Sequence, residues 1–252
     1  MNILFRIWMQ DSPDAQGKFV EHATDAVEPD MSFLEALDHV NEIRITNKQR
    51  VIEFDHDCRE GICGTCGFVI NGEPHGPEPA TTTCQLHMRS FRDDSTITVE
   101  PFRSAMFPII RDLKIDRSAL ERIQQAGGYI STNVHTAPEA NAVLVARELA
   151  EASFAAAACI GCGACVAACK NSAASLFTAA KIAHLDHLPQ GKIESEQRVV
   201  NMVRAMDDEG FGCCTNTEAC SAVCPQEISA DNIARMNWQY NWAMLKKFGR
   251  LK

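Results

Sequence analysis

The chain has 252 residues, of which 46% are hydrophobic, enough for one large folded domain or two ordinary ones. Its 24 basic and 33 acidic residues give a net charge of −9, so the chain as a whole offers no electrostatic support for binding nucleic acid. It contains 12 cysteines, and residues 1–12 lack the charged and apolar regions of a secretory signal. Grouped cysteines in such a chain indicate metal binding more than disulfides.

The first hundred residues alternate strand-like runs with turns. Strands are predicted at NILFRIWMQ near the start, at VIEFD before the first cysteines, at GFVING after them and at STITVEP near residue 100. Phe33–Val40 is the one segment of this part with helical spacing. The pattern indicates a small sheet with one helix.

After Pro101 the sequence becomes typical of helices. Ser118 and Glu121 predict a capping box, and Gly127 and Gly128 are expected to end that helix. Further helices are predicted from Thr136 to Ala157, at 172–187, at 194–208 and at 230–248. This change in character places a domain boundary near residue 104, with domains at 1–104 and 105–252.

Residues 152–169 form an uncharged stretch of 18 residues, the length at which a membrane span becomes a candidate. Four of them are cysteine, two are glycine and most of the rest are alanine, so their transfer into lipid would gain little free energy. We therefore expect any attachment to a membrane to come through a partner.

The first cysteine group consists of Cys58, Cys63, Cys66 and Cys84, with gaps of four, two and seventeen residues. This is the plant-type spacing for a 2Fe-2S cluster. The glycines in the same loop let the backbone approach the inorganic sulfurs and offer N–H groups to them. The alternative is a structural zinc site, whose usual pattern is two pairs of cysteines with short gaps. The wide gap after Cys58 favours 2Fe-2S.

The second group, Cys159, Cys162, Cys165 and Cys169, has gaps of two, two and three residues. This is the run found in bacterial two-cluster ferredoxins, in which the fourth cysteine binds the other cluster. A further group follows at Cys213, Cys214, Cys220 and Cys224, and Pro225 comes next as the pattern requires. Cross-pairing predicts that a 4Fe-4S cluster is bound by Cys159, Cys162, Cys165 and Cys224.

Three cysteines then remain for a third cluster, namely Cys169, Cys214 and Cys220. A repeated ferredoxin run would place a fourth cysteine at position 217, which is Thr217. A hydroxyl is a poor ligand for iron, so we predict a 3Fe-4S cluster. Cys213 is left over, and we expect it to be a small buried hydrophobic residue, with a role as a substitute ligand as the alternative.

Three clusters in one chain indicate an electron-transfer protein that supplies no bond chemistry of its own. The sequence has neither a glycine-rich dinucleotide fingerprint at a strand-to-helix junction nor a P-loop. A flavin or other organic cofactor is therefore expected in a partner subunit.

The motifs CREGICGTCG, CIGCGACVAAC and CxxxxxCxxxCP, in this order, resemble the iron-sulfur subunits of succinate dehydrogenase and quinol:fumarate reductase. The resemblance implies an α+β fold, with an N-terminal β-grasp 2Fe-2S ferredoxin domain and a C-terminal all-α two-cluster ferredoxin-like domain. It also implies a flavoprotein subunit carrying FAD and a membrane-anchor subunit that binds quinone. The location implied is the cytoplasmic face of the cell membrane, reached through the anchor.

The sequence departs from better-known members of this family near the third cluster. Those members have proline, tryptophans and a histidine that contribute to a quinone pocket. The candidate quinone-side residues here are Lys170, Ala173, Ala174, Thr215 and Thr217. The departure suggests the branch with a cytochrome b or otherwise divergent anchor, in which haem is expected in the anchor and menaquinone is a common partner.

The resemblance implies the electron-transfer subunit of a membrane-bound succinate dehydrogenase, which passes electrons from FAD through the 2Fe-2S, 4Fe-4S and 3Fe-4S clusters to quinone. Two other functions are compatible with the motifs. One is the same electron-transfer role in a quinol:fumarate reductase. The other is a ferredoxin-type carrier, or the cluster subunit of a different flavoenzyme. A structural zinc protein is a third interpretation.

The last predicted helix is rich in aromatic residues, and basic residues follow at the C terminus. This composition suits contact with an anchor subunit or with anionic lipid headgroups. The alternative is a docked helix with a solvated basic tail.

Overall fold

The computed structural model describes residues 1–131, 139 and 142–249. The first part of the chain forms a mixed five-stranded sheet. Its strands are β1 (Ile3–Met9), β2 (Lys18–Thr24), β3 (Phe68–Ile70), β4 (Glu73–Pro74) and β5 (Ser95–Pro101). The strand order is β2-β1-β5-β3-β4. The pair β1 and β5 is parallel, and the other neighbouring strands are antiparallel.

One helix, α1 (Phe33–Thr46), packs against this sheet. A capping box starts it, in which Ser32 and Glu35 each accept a hydrogen bond from the other's backbone N–H. Phe33 contacts Phe5 of β1 edge to face, with ring centroids 6.0 Å apart. Both side chains are fully buried. A sheet that wraps one helix is the β-grasp arrangement, so the predicted fold of this part is confirmed.

The strand predicted at VIEFD, residues 51–55, is wrong, because this segment is not part of the sheet. Its backbone groups bond to side chains and to the Leu113 backbone N–H of the hairpin turn instead of to a neighbouring strand of the sheet. The Asn41 amide bonds both backbone groups of Ile52, at 2.7 and 3.0 Å. The buried Asp112 carboxylate accepts from the Glu53 N–H at 2.9 Å.

The second part of the chain is helical apart from one short hairpin. The hairpin strands are β6 (Ile109–Arg111) and β7 (Lys114–Ile115), and the helices are α2 (Ser118–Gln125), α3 (Arg147–Ala157), α4 (Ala164–Ala168), α5 (Ser175–Asp186), α6 (Ser195–Asp208), α7 (Ala219–Ala222) and α8 (Asp231–Gly249). Helix α5 is the centre of this part, since it packs against α3, α6 and α8 and is largely buried.

The structure corrects two predicted helix starts. The capping box at Ser118 and Glu121 is wrong, because Ser118 is already helical and the Asp116 carboxylate accepts its N–H at 2.8 Å. The helix expected from 172 begins at Ser175, since Ser172 has a positive φ of 51°.

The helix predicted from Thr136 to Ala157 is shorter than expected. Residues 142–146 are not helical, and α3 begins at Arg147. Val143 and Leu144 are exposed there, at 57% and 78%, so no tertiary packing stabilises a helix at this point. The predicted start at 136–138 lies outside the described residues.

Two hydrophobic cores result, one between the sheet and α1 and one among the helices. Phe102 and Phe107, just after the sheet, belong to the helical core. Leu113 of the hairpin turn returns to the first core. The domain boundary at residue 104 therefore stays a prediction. Within the described ranges, no helix is both long enough and apolar enough to cross a bilayer.

Candidate metal centres

The first site takes three cysteines from the loop that connects α1 to β3 and one from the segment between β4 and β5. Its members are Cys58, Cys63, Cys66 and Cys84. The thiols lie near one another, because Cys63 influences the pKa of Cys58, and Cys63 and Cys84 influence that of Cys66. Cys66 and Cys84 are buried, and the other two thiols are half-buried.

Backbone N–H groups point at the outer sulfur of this loop. The N–H groups of Glu60 and Ile62 donate to Cys58 Sγ at 3.3 and 3.5 Å. These bonds are the main reason why the pKa of Cys58 falls to about 7. Gly61 and Gly64 have φ values of 76° and 72°, which a side chain would strain. The conformation of this loop thus directs backbone N–H donors at the sulfur of a candidate cluster ligand.

The inner sulfurs of the first site have polar neighbours. The hydroxyls of Thr65 and Thr82 lie 3.1 and 3.3 Å from the sulfurs of Cys63 and Cys84. Burial raises the pKa of Cys66 to about 12, and the nearby thiol of Cys84 adds to the rise. A buried thiol of this kind holds its proton at neutral pH and releases it when a metal binds the sulfur.

The second site is a cavity in the helical part. The cysteines that line it are Cys159, Cys162, Cys165 and Cys224. Burial raises the pKa of Cys162 to about 12 and that of Cys165 well above its ordinary value. Lys181 donates to the Cys159 carbonyl at 2.7 Å, and its charge opposes the rise that burial causes in the pKa of Cys159. Four soft donors around an apolar cavity fit an iron-sulfur group.

The third site is a neighbouring cavity lined by Cys169, Cys214 and Cys220. Thr217 also lines it, at the position where a fourth cysteine would complete the ferredoxin pattern. The N–H of Asn216 donates to Cys214 Sγ at 3.4 Å. Three thiols and one hydroxyl around a cavity fit the predicted 3Fe-4S group.

Cys213 is not the small buried hydrophobic residue that we expected, because it is exposed. The Asn171 side-chain amide donates to the Cys213 carbonyl at 2.9 Å. Gly212 also lies directly against the Asn171 carbonyl. Contacts with Asn171 therefore hold the backbone at residues 212–213, and the Cys213 side chain does not need to be buried. Cys214, and not Cys213, lines the third cavity.

The structure places some of the candidate quinone-side residues at the third cavity and others away from it. Ala173, Thr215 and Thr217 line the third cavity. Lys170 is exposed and Ala174 is fully buried, and neither lines this cavity.

In the part of the chain that the structure describes, no three His, Cys, Asp or Glu side chains converge closely enough to hold a single metal ion. A zinc site would need four ligands about 2.0 to 2.3 Å from one ion. In a 2Fe-2S group the four thiolates bind two irons in pairs, and in a 4Fe-4S group each thiolate binds a different iron, so the sulfurs need not meet at one point.

The first two sites are in direct contact. Gly64 of the first loop lies against the carbonyl oxygen of Ile160, with no space for a Cβ atom. The amide of Gln226, two residues after Cys224, donates to the Gly61 carbonyl at 3.2 Å. Arg117 donates to backbone carbonyls of both loops.

Sequence reasoning missed Arg117, Gln226 and Lys181. None of them belongs to a recognisable spacing pattern, because each acts on backbone groups far away in the chain. Among these three residues, Gln226 alone has a position that the sequence marks, because it directly follows the cysteine-proline pair of the ferredoxin pattern.

The fold and the three groups of cysteines define a two-domain iron-sulfur protein. The family model of the 2Fe-2S iron-sulfur cluster binding domain matches residues 4–122. The family model of the 4Fe-4S dicluster domain matches residues 155–228.

The chain is similar to curated proteins over most of its length. The succinate dehydrogenase iron-sulfur subunit of Bacillus subtilis is 24% identical over 256 residues, covering 98% of this chain and 95% of that protein. The fumarate reductase iron-sulfur subunit of Wolinella succinogenes is 29% identical over 190 residues, covering 70% and 72%. That of Escherichia coli O6:H1 is 26% identical over 200 residues, covering 78% and 75%.

A chain of the solved Mycobacterium smegmatis Sdh1 complex in the apo form has the same fold. The TM-score is 0.73 at 24% identity, with 95% of both chains covered. The chain therefore carries a 2Fe-2S domain followed by a 4Fe-4S dicluster domain, and it is similar over most of its length to iron-sulfur subunits of succinate dehydrogenase and fumarate reductase.

Proposed function

We propose that this chain is the electron-transfer subunit of a membrane-bound succinate:quinone oxidoreductase that oxidises succinate. Its relatives are succinate dehydrogenase and fumarate reductase iron-sulfur subunits, which supports an electron-transfer role in a complex of this kind. The observation that carries the proposal is the row of three cysteine sites, each in contact with the next.

The cysteines of each site are the proposed ligands. Cys58, Cys63, Cys66 and Cys84 would hold a 2Fe-2S cluster, Cys159, Cys162, Cys165 and Cys224 a 4Fe-4S cluster, and Cys169, Cys214 and Cys220 a 3Fe-4S cluster. When bound, such groups accept and donate electrons one at a time. The cysteine side chains would hold them, backbone N–H groups donate hydrogen bonds to Cys58 and Cys214, and the surrounding protein excludes water from the buried thiols.

The order of the sites supports transfer in series. The first and second sites touch at Gly64 and Ile160. Leu176 lines both the second and the third cavity, which makes these two sites neighbours. An electron that enters at the first site would therefore pass the second before it reaches the third.

Both ends of this row are exposed, so each end can contact a partner subunit. Ile62, in the first loop, is 64% exposed beside two of the cysteines, which suits docking of a flavoprotein subunit that carries FAD. Residues 213–218 at the third site are also exposed. This end is proposed to face the anchor subunit and its quinone, with menaquinone as the expected type.

Helix α8 supports an anchor or membrane contact. Trp238 and Trp242 are 66% and 49% exposed, and their rings are stacked with centroids 6.3 Å apart. Lys246 lies over the Trp242 ring at 5.6 Å. Aromatic rings beside basic groups are suited to the surface of a membrane. We place this face toward a membrane anchor of the cytochrome b type, on the cytoplasmic side of the cell membrane.

The test is purification of the complex from membranes through a tag on this chain. We expect a flavoprotein with FAD and a membrane anchor to co-purify, and succinate oxidation with a quinone acceptor to exceed fumarate reduction with a quinol donor. Protection of the tagged chain from protease in right-side-out vesicles, but not in inverted ones, would support the proposed side of the membrane.

Three results would contradict the proposal. A soluble monomer that exchanges electrons with many partners would identify a ferredoxin-type carrier. A higher rate of fumarate reduction would identify the reverse enzyme. Zinc in place of iron would identify a structural protein.

A further inference from the structure

Arg117 is the side chain that bonds both of the first two cysteine loops. It lies between the hairpin strand β7 and helix α2, and it is half-buried. Its Nη1 donates to the carbonyl of Gly64, between Cys63 and Cys66. The same nitrogen donates to the Gly161 carbonyl at 3.1 Å and lies 3.4 Å from the carbonyl of Cys162. One guanidinium group therefore holds backbone from both sites.

The positive charge of Arg117 is not neutralised by an ion pair within residues 1–131, 139 and 142–249. Its hydrogen-bond acceptors there are the three backbone carbonyl oxygens. The neighbouring carboxylate, Asp116, instead accepts the N–H of Ser118. A guanidinium stays protonated at any pH at which the protein is folded. The junction between the two sites thus carries a full positive charge.

We propose that Arg117 is a positioning residue shared by the first and second cluster sites, which holds their loops in contact and raises the reduction potential of both groups. This inference rests on the proposed function. Addition of an electron makes a cluster more negative, and a nearby cation stabilises that form. Charge and hydrogen bonding are among the factors that set a cluster's potential.

The arginine itself takes no part in the redox balance. When one electron moves between the two sites, one group is oxidised by one electron, the other is reduced by one, and the guanidinium keeps its proton. The third site provides an internal reference, because none of the residues lining its cavity is among the acceptors of Arg117.

The test is an EPR-monitored redox titration of the purified complex with Arg117→Gln. We expect the midpoint potentials of the first and second groups to fall together, while that of the third group stays at its wild-type value. Arg117→Lys keeps the positive charge, so we expect the midpoint potentials of the first and second groups to stay close to their wild-type values. Arg204→Gln is the matched control, since Arg204 is exposed on α6 and lies outside the three sites, and it should leave all three potentials unchanged.

A purely structural role would lower stability and leave the potentials unchanged, and that result would overturn the inference. A shift in only one of the two groups, or an equal shift in the third, would also overturn it. If the wild-type complex held no iron-sulfur groups, the proposed function itself would fail. The two failures are therefore distinguishable.

If Arg117→Gln does not assemble, hydrogen exchange of the Arg117→Lys complex replaces the titration. Lysine has no planar fork that can bond carbonyls of two loops at once. We expect faster amide exchange in both cysteine loops, around Gly64 and around Gly161, and no change around Gly72 in the β3-β4 turn. Wild-type exchange in either loop would contradict the proposed link.

Discussion

Gly64 and Ile160 lie so close together that a Cβ atom on Gly64 would fall well within 3.0 Å of the Ile160 carbonyl oxygen. Gly64 stands between two cysteines of the first site, and Ile160 between two of the second. The contact therefore joins two candidate cluster sites through backbone alone. It gives a physical reason for glycine at this position that is separate from its positive φ.

Replacement of Gly64 by alanine tests this contact. The substitution should reduce stability by about 1 to 3 kcal/mol beyond backbone strain, because the new methyl group overpacks the junction. It should also slow electron transfer between the first two sites. Thermal unfolding and rapid-mixing reduction kinetics of the complex measure the two effects.

Gly72→Ala is the matched control for that experiment. Gly72 also has a positive φ, 89°, but a Cβ there would meet nothing within 4 Å. It should therefore show the cost of backbone strain without the steric clash. Equal losses of stability in the two variants would show that the Gly64 contact with Ile160 is unimportant.

The choice between the neighbouring thiols at positions 213 and 214 is a second prediction. Cys214 lines the third cavity and Cys213 does not. Cys214→Ser should abolish the 3Fe-4S EPR signal of the oxidised complex, while Cys213→Ser should keep it. The reverse pattern would assign the ligand to Cys213.

Much of this organisation follows from local patterns in the sequence. The cysteine spacings group the thiols without any knowledge of the fold, because each run lies within one short loop. The alternation in β1 and β5 and the spacing in α1 predict those elements for the same reason. The strand β2, in contrast, has half-buried and exposed residues along most of its length, so its pattern is weak.

What the sequence could not show depends on contacts between distant residues. The segment 51–55 looks like a strand, but Asn41 and Asp112 bond the backbone N–H groups of Ile52 and Glu53 from outside the sheet. The Cys213 carbonyl accepts a hydrogen bond from the distant Asn171 amide, while the Cys213 thiol is exposed. Arg117 reaches carbonyls 53 and 44 residues away in the chain.

Thr217 provides a third prediction, since it lines the third cavity in the place of a fourth cysteine. Thr217→Cys should add about one iron atom per chain and remove the 3Fe-4S signal from the oxidised protein, because a thiolate binds the missing iron. Iron analysis and EPR spectroscopy check both effects.

Thr215→Cys is the control, because Thr215 lines the same cavity but its hydroxyl accepts a hydrogen bond from the Asn171 amide. It should keep the three-iron signal. Persistence of that signal in Thr217→Cys would argue against position 217 as the site of the missing ligand.

His75 should make the stability of the protein depend on pH. Its ring is buried against Phe102 and bonded at Nδ1 to Thr83, and its Nε2 has no partner among the described residues. Burial, with a smaller effect of the Arg117 charge, lowers its pKa to about 4. The unfolded chain, with a histidine pKa near 6.5, binds the proton more readily.

The stabilisation from neutral His75 is therefore present above about pH 6.5 and is lost as the pH falls toward 4. Between pH 7 and 5.5 the loss should be about 1 kcal/mol. The fall in thermal stability over this range should be smaller in His75→Gln than in the wild type. His56→Gln, at an exposed histidine, should keep the wild-type dependence, and identical slopes in all three proteins would contradict the role of His75.

The central claim is that one chain holds three different iron-sulfur groups in series. Low-temperature EPR of the purified complex during stepwise reduction tests it most directly. We expect a three-iron signal in the oxidised state, then separate 2Fe-2S and 4Fe-4S signals on reduction, with about nine iron atoms per chain. A complex that shows only two kinds of centre, or a colourless protein that contains zinc, would contradict this account.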